Sequence, residues 1–283
     1  MKICRYDEGK FGVVTPEGVV DVSSAFADLP RSSYPYPAHD VMIAGLAEIV
    51  TRIDISGKPV IPMDQVQLRL PLCNPGKLVA APVNYARHLE EVRDQADLNH
   101  GNAAHMKQIR EIGLFLKATS SLIGPDAPVV IGDGQRRNDH EIELAVVIGK
   151  TCKNVSSADA LAHVAAYAIG LDMTVRGPED RSFRKSLDSY SVIGPWLVTA
   201  DEIPDPGALG FELTVNGVVR QKAHTRDLVL GVAELIEMAS SWYTLHPGDI
   251  LFTGTPEGVG EVKAGDTMVA RMDGIGTMEV TVR

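Results

Sequence analysis

Apolar positions along this chain fall mostly in short alternating or continuous runs, and only a few stretches repeat with helical spacing. The first segment reads KICRY, FGVV and VVDVS, separated by DEGK and TPEG, which predicts three short strands joined by turns. A loop dotted by Pro30, Pro35 and Pro37 follows, then a helix around Val41 to Arg52. SGKPVIPMD and PLCNPGK break the pattern before LVAAPVNY, a buried strand. These breaks place a boundary near Leu72 to Gly76, giving a small β-containing amino-terminal domain over 1–72 and a main domain over 73–283.

In the main domain, His88 to Ile112 is polar and helix-compatible, with Gly101 interrupting. Core-packing helices or a mobile lid both fit it, and its polarity favours the lid. LAVVIG predicts a buried strand, and the Ala-rich stretch Ala158 to Ala168 a helix. FELTV and VVRQK flank Asn216-Gly217, the pair that suits a type I′ hairpin turn. Leu228, Val232, Leu235, Ile236 and Ala239 carry a helical period towards Tyr243. HPGD, KAGD and DGIG then separate short strands to the end. Many short strands, glycine turns and few helices predict a mixed α/β, β-rich fold, rolled or barrel-like.

Composition narrows the function classes. The 283 residues carry a formal net charge of −10, which argues against nucleic acid or an anionic membrane as partner. The three cysteines, Cys4, Cys73 and Cys152, have no metal-ligand or disulfide-framework spacing. With no apolar run of membrane-spanning length, a cytoplasmic protein is expected. No GxSxG, HExxH, GxGxxG or P-loop motif is present.

The candidate chemistry starts at RNDHEIELAVVIGK, where Asp139, Glu141 and Glu143 occupy alternate positions and share one face of an extended chain. Such acids are either a solvated edge or, because the chain runs straight into LAVVIG, buried groups that need cations, hydrogen bonds or a metal. An oxygen-rich cluster suits Mg²⁺, Mn²⁺ or Ca²⁺. Asp172, ending an apolar run in AYAIGLD, is a further ligand if a strand–helix–strand return brings it beside Glu143. His140 alternates to the other face and is not a ligand. In VNYARHLEE, His88 and Glu91 are three apart and neighbours on a helix, either a surface pair or an oriented general base. Lys117 and Lys185 precede apolar or small-residue segments and read as solvated or as site lysines. Arg176, four after Asp172, supplies positive charge beside the acids. The Gly-rich TGTPEGVG is either a strand and tight turn or a loop whose amides approach an anion.

From about Lys77 onward, NYARHLEE, FLKATSSLIGP, DHEIELAVVIGK, AIGLD, RKSLDSYSVIGPWLVT, VNGVVRQ, PGDILFTGTPEGVG and DGIGTMEV occur in this order. Together they resemble the fumarylacetoacetate hydrolase superfamily, in particular its acylpyruvate hydrolase and isomerase/decarboxylase branch. The resemblance implies a rolled β-sheet catalytic domain holding Mg²⁺ or Mn²⁺ through Glu141, Glu143 and Asp172, with Asp139 a neighbour. It implies a His88–Glu91 dyad on a closing lid, Lys185 as catalytic lysine, and Lys117 and Thr255 near the substrate carboxylate. A homodimer is implied as well. The chain departs from the usual V-S-A-R-D-x-Q after the metal aspartate: Arg176 keeps its place, but Gly177 and Glu179 replace Asp and Gln. Glu179 is thereby expected to put negative charge where an amide usually meets substrate.

The expected activity is metal-dependent hydrolysis of the C–C bond of an acylpyruvate or related β-diketo acid, a small 2-oxo acid. Decarboxylation or isomerisation on the same site, and ligand binding without turnover, are the competing readings.

Overall fold

The computed structural model describes residues 1–30, 34–100 and 107–283. Gly101, the expected interruption of the lid segment, lies outside the described residues.

Among these residues the main sheet has 12 strands. Its path runs from Val60–Ile61 through Gly18–Asp21, Lys10–Thr15 and Lys2–Tyr6 to Ser191–Thr199, Val164–Asp172 and Ile142–Ile148. It continues to Ile250–Phe252, Leu78–Ala80 and Phe115–Lys117. The two ends of that path are not paired with each other, so the β-rich fold is open and not a closed barrel. Lys2 and Ile3 pair with Val198 and Leu197, which carries the amino-terminal strands into the same sheet as the site.

The strand Ile142–Ile148 is buried at every position, as a strand covered on both faces must be. Leu144, Val146 and Ile148 enter one apolar cluster, and Ala145 and Val147 enter another. The Ala-rich stretch departs from expectation. Helix is confined to one turn at Ser157–Ala160 and a 3₁₀ turn at Leu161–His163, and Val164–Asp172 is a strand. Its neighbours on both sides decide this: Ile142–Ile148 and Ser191–Thr199 hydrogen-bond it from either edge. Ala166 and Ala168 fill small places in the core there, and tertiary pairing overrides the helix propensity of alanine.

The expected hairpin and two of the expected helices are present. Gly210–Val215 and Val218–His224 pair across Asn216-Gly217, both at positive φ (51° and 77°) as a type I′ turn requires. These strands and Thr267–Met272 and Gly276–Thr281 form a four-stranded sheet. Val41–Thr51 and Val232–Trp242 are helices. The first is capped by buried Asp40, whose Oδ1 accepts from the Met42 and Ile43 amides while Oδ2 accepts from those of Cys73 and Asn74. One carboxylate thus ties the helix to the stretch expected as a boundary.

Candidate active site

The antiparallel register of Ile142–Ile148 and Val164–Asp172 assembles the acids. Ile142 stands opposite Leu171 and Glu143 opposite Gly170. The Asp172 amide donates to the Glu141 carbonyl at 2.9 Å, so Asp172 faces Glu141 and lies diagonal to Glu143. No helix is needed to return it. One oxygen from each of Glu141, Glu143 and Asp172 lies within 4.8 Å of the others, and all three residues are buried. Gly170 leaves room for this packing: a Cβ there would stand 2.8 Å from the Phe252 ring. Asp139 leaves the group because the strand breaks at Glu141. Asn138–His140 belongs to a separate three-stranded sheet, where Arg137 and Arg176 each hold Asp139 at 2.7 Å.

The cluster is electrostatically lopsided. Glu141 accepts from Lys185 at 2.6 Å, Arg176 at 2.8 Å and Thr174 at 3.1 Å. Burial pushes its carboxyl up, but Lys185, Arg176 and His88 outweigh burial and hold it at about 2. Asp172 is bound by Lys117 and by Lys185, the latter at 2.7 Å. Glu143 accepts only from the Gly254 amide, at 2.6 Å, among the described residues. Burial, reinforced by Asp172, raises its pKa well above the ordinary carboxylate value. A set of hard oxygen donors with one acid short of positive charge fits a divalent cation such as Mg²⁺ or Mn²⁺.

Over this floor lies the helix Ala86–Asp94, with His88, Leu89 and Val92 buried. His88 Nδ1 is 2.8 Å from Glu91 Oε2, and Glu91 Oε1 accepts from the Gly258 amide at 3.0 Å. With Nδ1–H donated to Glu91, Nε2 of the ring is an acceptor, the state a general base needs. Val92 and Leu98 pack on Val259, which closes the cover onto the TGTPEGVG loop. The glycines of that loop have distinct uses. Gly254 (φ 96°) aims its amide at Glu143, where a Cβ would come within 2.7 Å of Asn84; Gly258 (φ 90°) holds Glu91, where a Cβ would meet the Arg220 carbonyl at 2.3 Å. The anions that this loop approaches are the protein's own carboxylates.

His88, Glu141, Glu143, Arg176, Lys185 and Thr255 all line one cavity. Its volume of about 40 Å³ has room for water. The Thr255 hydroxyl donates to the Ile142 carbonyl at 3.0 Å and accepts from Gln221 at 2.8 Å, which fixes its orientation at the cavity edge. Lys117 is placed differently from expectation. Its side chain is fully buried behind Asp172, bonded to that carboxylate and to the Tyr190 carbonyl, and it does not reach the cavity. Glu179 also differs. It is drawn away into a bidentate pair with Arg136 at 3.1 and 2.7 Å. A side chain at Gly177 would collide with that guanidinium, so the two departures from the usual pattern are one device. Sequence reasoning missed Arg181 and Arg184, which line the cavity. Their spacing with Lys185 in RSFRK was the available signal.

The profile of the fumarylacetoacetate (FAA) hydrolase C-terminal family matches residues 77–283. The chain belongs to this family. Across its full length it is similar to a maleylpyruvate hydrolase of Aquipseudomonas alcaligenes, at 54% identity over 100% of this chain and 99% of that protein. The crystal structure of maleylpyruvate hydrolase from Sphingobium sp. SYK-6, in complex with manganese(II) ion and pyruvate, superposes with a TM-score of 0.83 and 40% identity, covering 100% of this chain and 98% of the other. A 2-hydroxyhepta-2,4-diene-1,7-dioate isomerase from Mycobacterium marinum superposes with a TM-score of 0.74 at 27% identity, over 100% and 98% of the two chains.

Proposed function

We propose that this protein is a divalent-metal-dependent acylpyruvate hydrolase, with maleylpyruvate the leading candidate substrate. The observation that carries the reading is the buried Glu141–Glu143–Asp172 cluster beneath an oriented His88–Glu91 pair. The full-length likeness to maleylpyruvate hydrolases favours hydrolysis over decarboxylation or isomerisation, neither of which needs a base above the cluster to activate water.

Glu141, Glu143 and Asp172 would hold Mg²⁺ or Mn²⁺, which supplies Lewis-acid polarisation of a 2-oxo acid's oxygens. The chain's own residues account for the rest. His88 Nε2 takes a proton from water as its oxygen adds to the distal carbonyl carbon, and Glu91 stabilises the imidazolium that results. The C–C bond between that carbon and the pyruvyl methylene then breaks. Its electron pair leaves as the enolate of pyruvate, which is protonated to pyruvate, and the acyl group departs as a carboxylic acid. Lys185 and Arg176 supply positive charge where the enolate forms, an electrostatic contribution of about 3 kcal/mol per preorganised contact. Val92 and Leu98 exclude bulk water when the cover is shut.

No helix among the described residues is long and apolar enough to cross a membrane. A cytoplasmic homodimer is our reading of the assembly, supported by the family likeness and by three cysteines that are all free. The test of function is Mn²⁺- or Mg²⁺-dependent loss of maleylpyruvate and acetylpyruvate absorbance. His88→Ala should lower kcat by roughly 100- to 10,000-fold without lowering metal affinity. Wild-type protein that decarboxylates oxaloacetate and leaves both acylpyruvates intact would refute the reading.

A further inference from the structure

The cavity wall carries more positive charge than its acids use. The short helix Arg181–Lys185 is anchored by Asp180, whose Oδ1 accepts from the Ser182 amide at 2.8 Å. Arg181, Arg184 and Lys185 stand at i, i+3 and i+4 on this helix and share the face that lines the cavity, while Ser182 and Phe183 point to solvent. With Arg176 they give four cations in the lining against two carboxylates, Glu141 and Glu143.

Most of these cations are committed. Lys185 bridges Glu141 and Asp172, Arg176 binds Asp139 and Glu141, and Arg184 Nε donates to the Glu179 carbonyl at 2.8 Å. The half-buried Arg181 guanidinium makes no hydrogen bond or ion pair among the described residues. The acid next to it in sequence, Asp180, is engaged in capping, and the acid across the cavity, Glu141, is already saturated by two cations and Thr174. A guanidinium kept at a cavity wall beside other cations, with no ion pair among the described residues and with its acidic neighbours Asp180 and Glu141 engaged elsewhere, is suited to a planar carboxylate from a ligand.

We infer that Arg181 receives the distal carboxylate of the substrate and makes the site selective for acylpyruvates that end in a second carboxylate. This rests on the hydrolase reading for the orientation: the 2-oxo acid end lies on the acidic floor, so the acyl chain runs along the wall that carries Arg181. The second carboxylate gives Arg181 a partner, which a neutral acyl tail cannot do.

The test compares two non-cleavable ligands on Mn²⁺-loaded protein by calorimetry, 2-oxoheptanedioate and 2-oxoheptanoate, which differ only in the terminal carboxylate and lack the second carbonyl. Wild-type protein should prefer the diacid by about 10-fold or more, and Arg181→Ala should lose most of that preference. Arg181→Lys should recover part of it, since a point charge replaces the fork. In turnover, Arg181→Ala should raise KM for maleylpyruvate more than KM for acetylpyruvate, with the smaller change in kcat. An unchanged diacid preference in Arg181→Ala, or an equal loss for both ligands, overturns the inference. Diacid selectivity through Arg181 without cleavage of any acylpyruvate would instead defeat the hydrolase reading and leave Arg181 as an anion site. Cleavage of both acylpyruvates with an Arg181-independent ratio would do the reverse.

Discussion

Glu141 and Glu143 stand two residues apart at the entrance of one strand, both buried, yet their surroundings differ. Glu141 takes hydrogen bonds from Lys185, Arg176 and Thr174, whereas Glu143 takes one from a backbone amide. The first carboxyl is held at about 2 and the second is pushed far the other way. Like charge on one strand face is therefore tolerated by two means. At the Glu141 end the protein supplies the counter-charge itself. At the Glu143 end it leaves a deficit that, on our reading, the divalent cation fills.

Substitutions at the two ends should act with opposite sign on the metal-free protein. Glu141→Ala removes the acceptor for two buried cations and should destabilise by about 3–5 kcal/mol in urea unfolding. A loss below about 1 kcal/mol would mean that the Glu141 end is not held as described. Saturating metal is the next largest effect. Mn²⁺ at about 100 times its Kd should add about 2.7 kcal/mol to stability, and chelation at neutral pH should remove it. An unchanged Tm on chelation would break the comparison at the Glu143 end.

Glu143→Gln should raise the Tm of metal-free protein, because it removes a buried carboxyl whose charged form burial and Asp172 disfavour. The same substitution should abolish most of the stabilisation by Mn²⁺. The pH dependence sharpens this. Glu141 has a depressed folded pKa, so its contribution is present above its ordinary value of 4.5 and is lost as pH falls towards 2. Glu143 has a raised folded pKa, so metal-free protein should lose stability as pH rises above 4.5 through that value. Thermal melts across pH should show this upper decline in wild type and its absence in Glu143→Gln. The smallest effect belongs to Glu179→Ala, which breaks a partly exposed pair with Arg136 while Arg136 keeps its bonds to the Arg176 carbonyl, and should cost within about 1 kcal/mol.

How much of this was readable beforehand follows from how local each cause is. The alternation of Glu141 and Glu143 before an apolar run, the His88–Glu91 spacing and the Asn216-Gly217 turn are set by near neighbours, and each was legible. Asp139 was not separable from the other two by period alone, because the break at Glu141 comes from pairing with Thr174–Val175 and Gly260–Glu261 far along the chain. The Ala-rich strand looked helical because its two partner strands are non-local. The family resemblance placed Lys117 near the substrate carboxylate, and its burial behind Asp172 was not legible because it depends on the Tyr190 carbonyl, 73 residues away in sequence. The Arg136–Glu179 pair joins two loops and explains Gly177 only once both are in place.

The most direct test of the central claim is a titration of metal-depleted protein with Mn²⁺, following bound ion and maleylpyruvate cleavage in the same samples for wild type and Glu143→Gln. The account predicts no cleavage in depleted wild type, recovery in step with occupancy of a single site per chain, and weak binding without recovery in Glu143→Gln. Full cleavage by depleted protein, or wild-type metal affinity in Glu143→Gln, would contradict it.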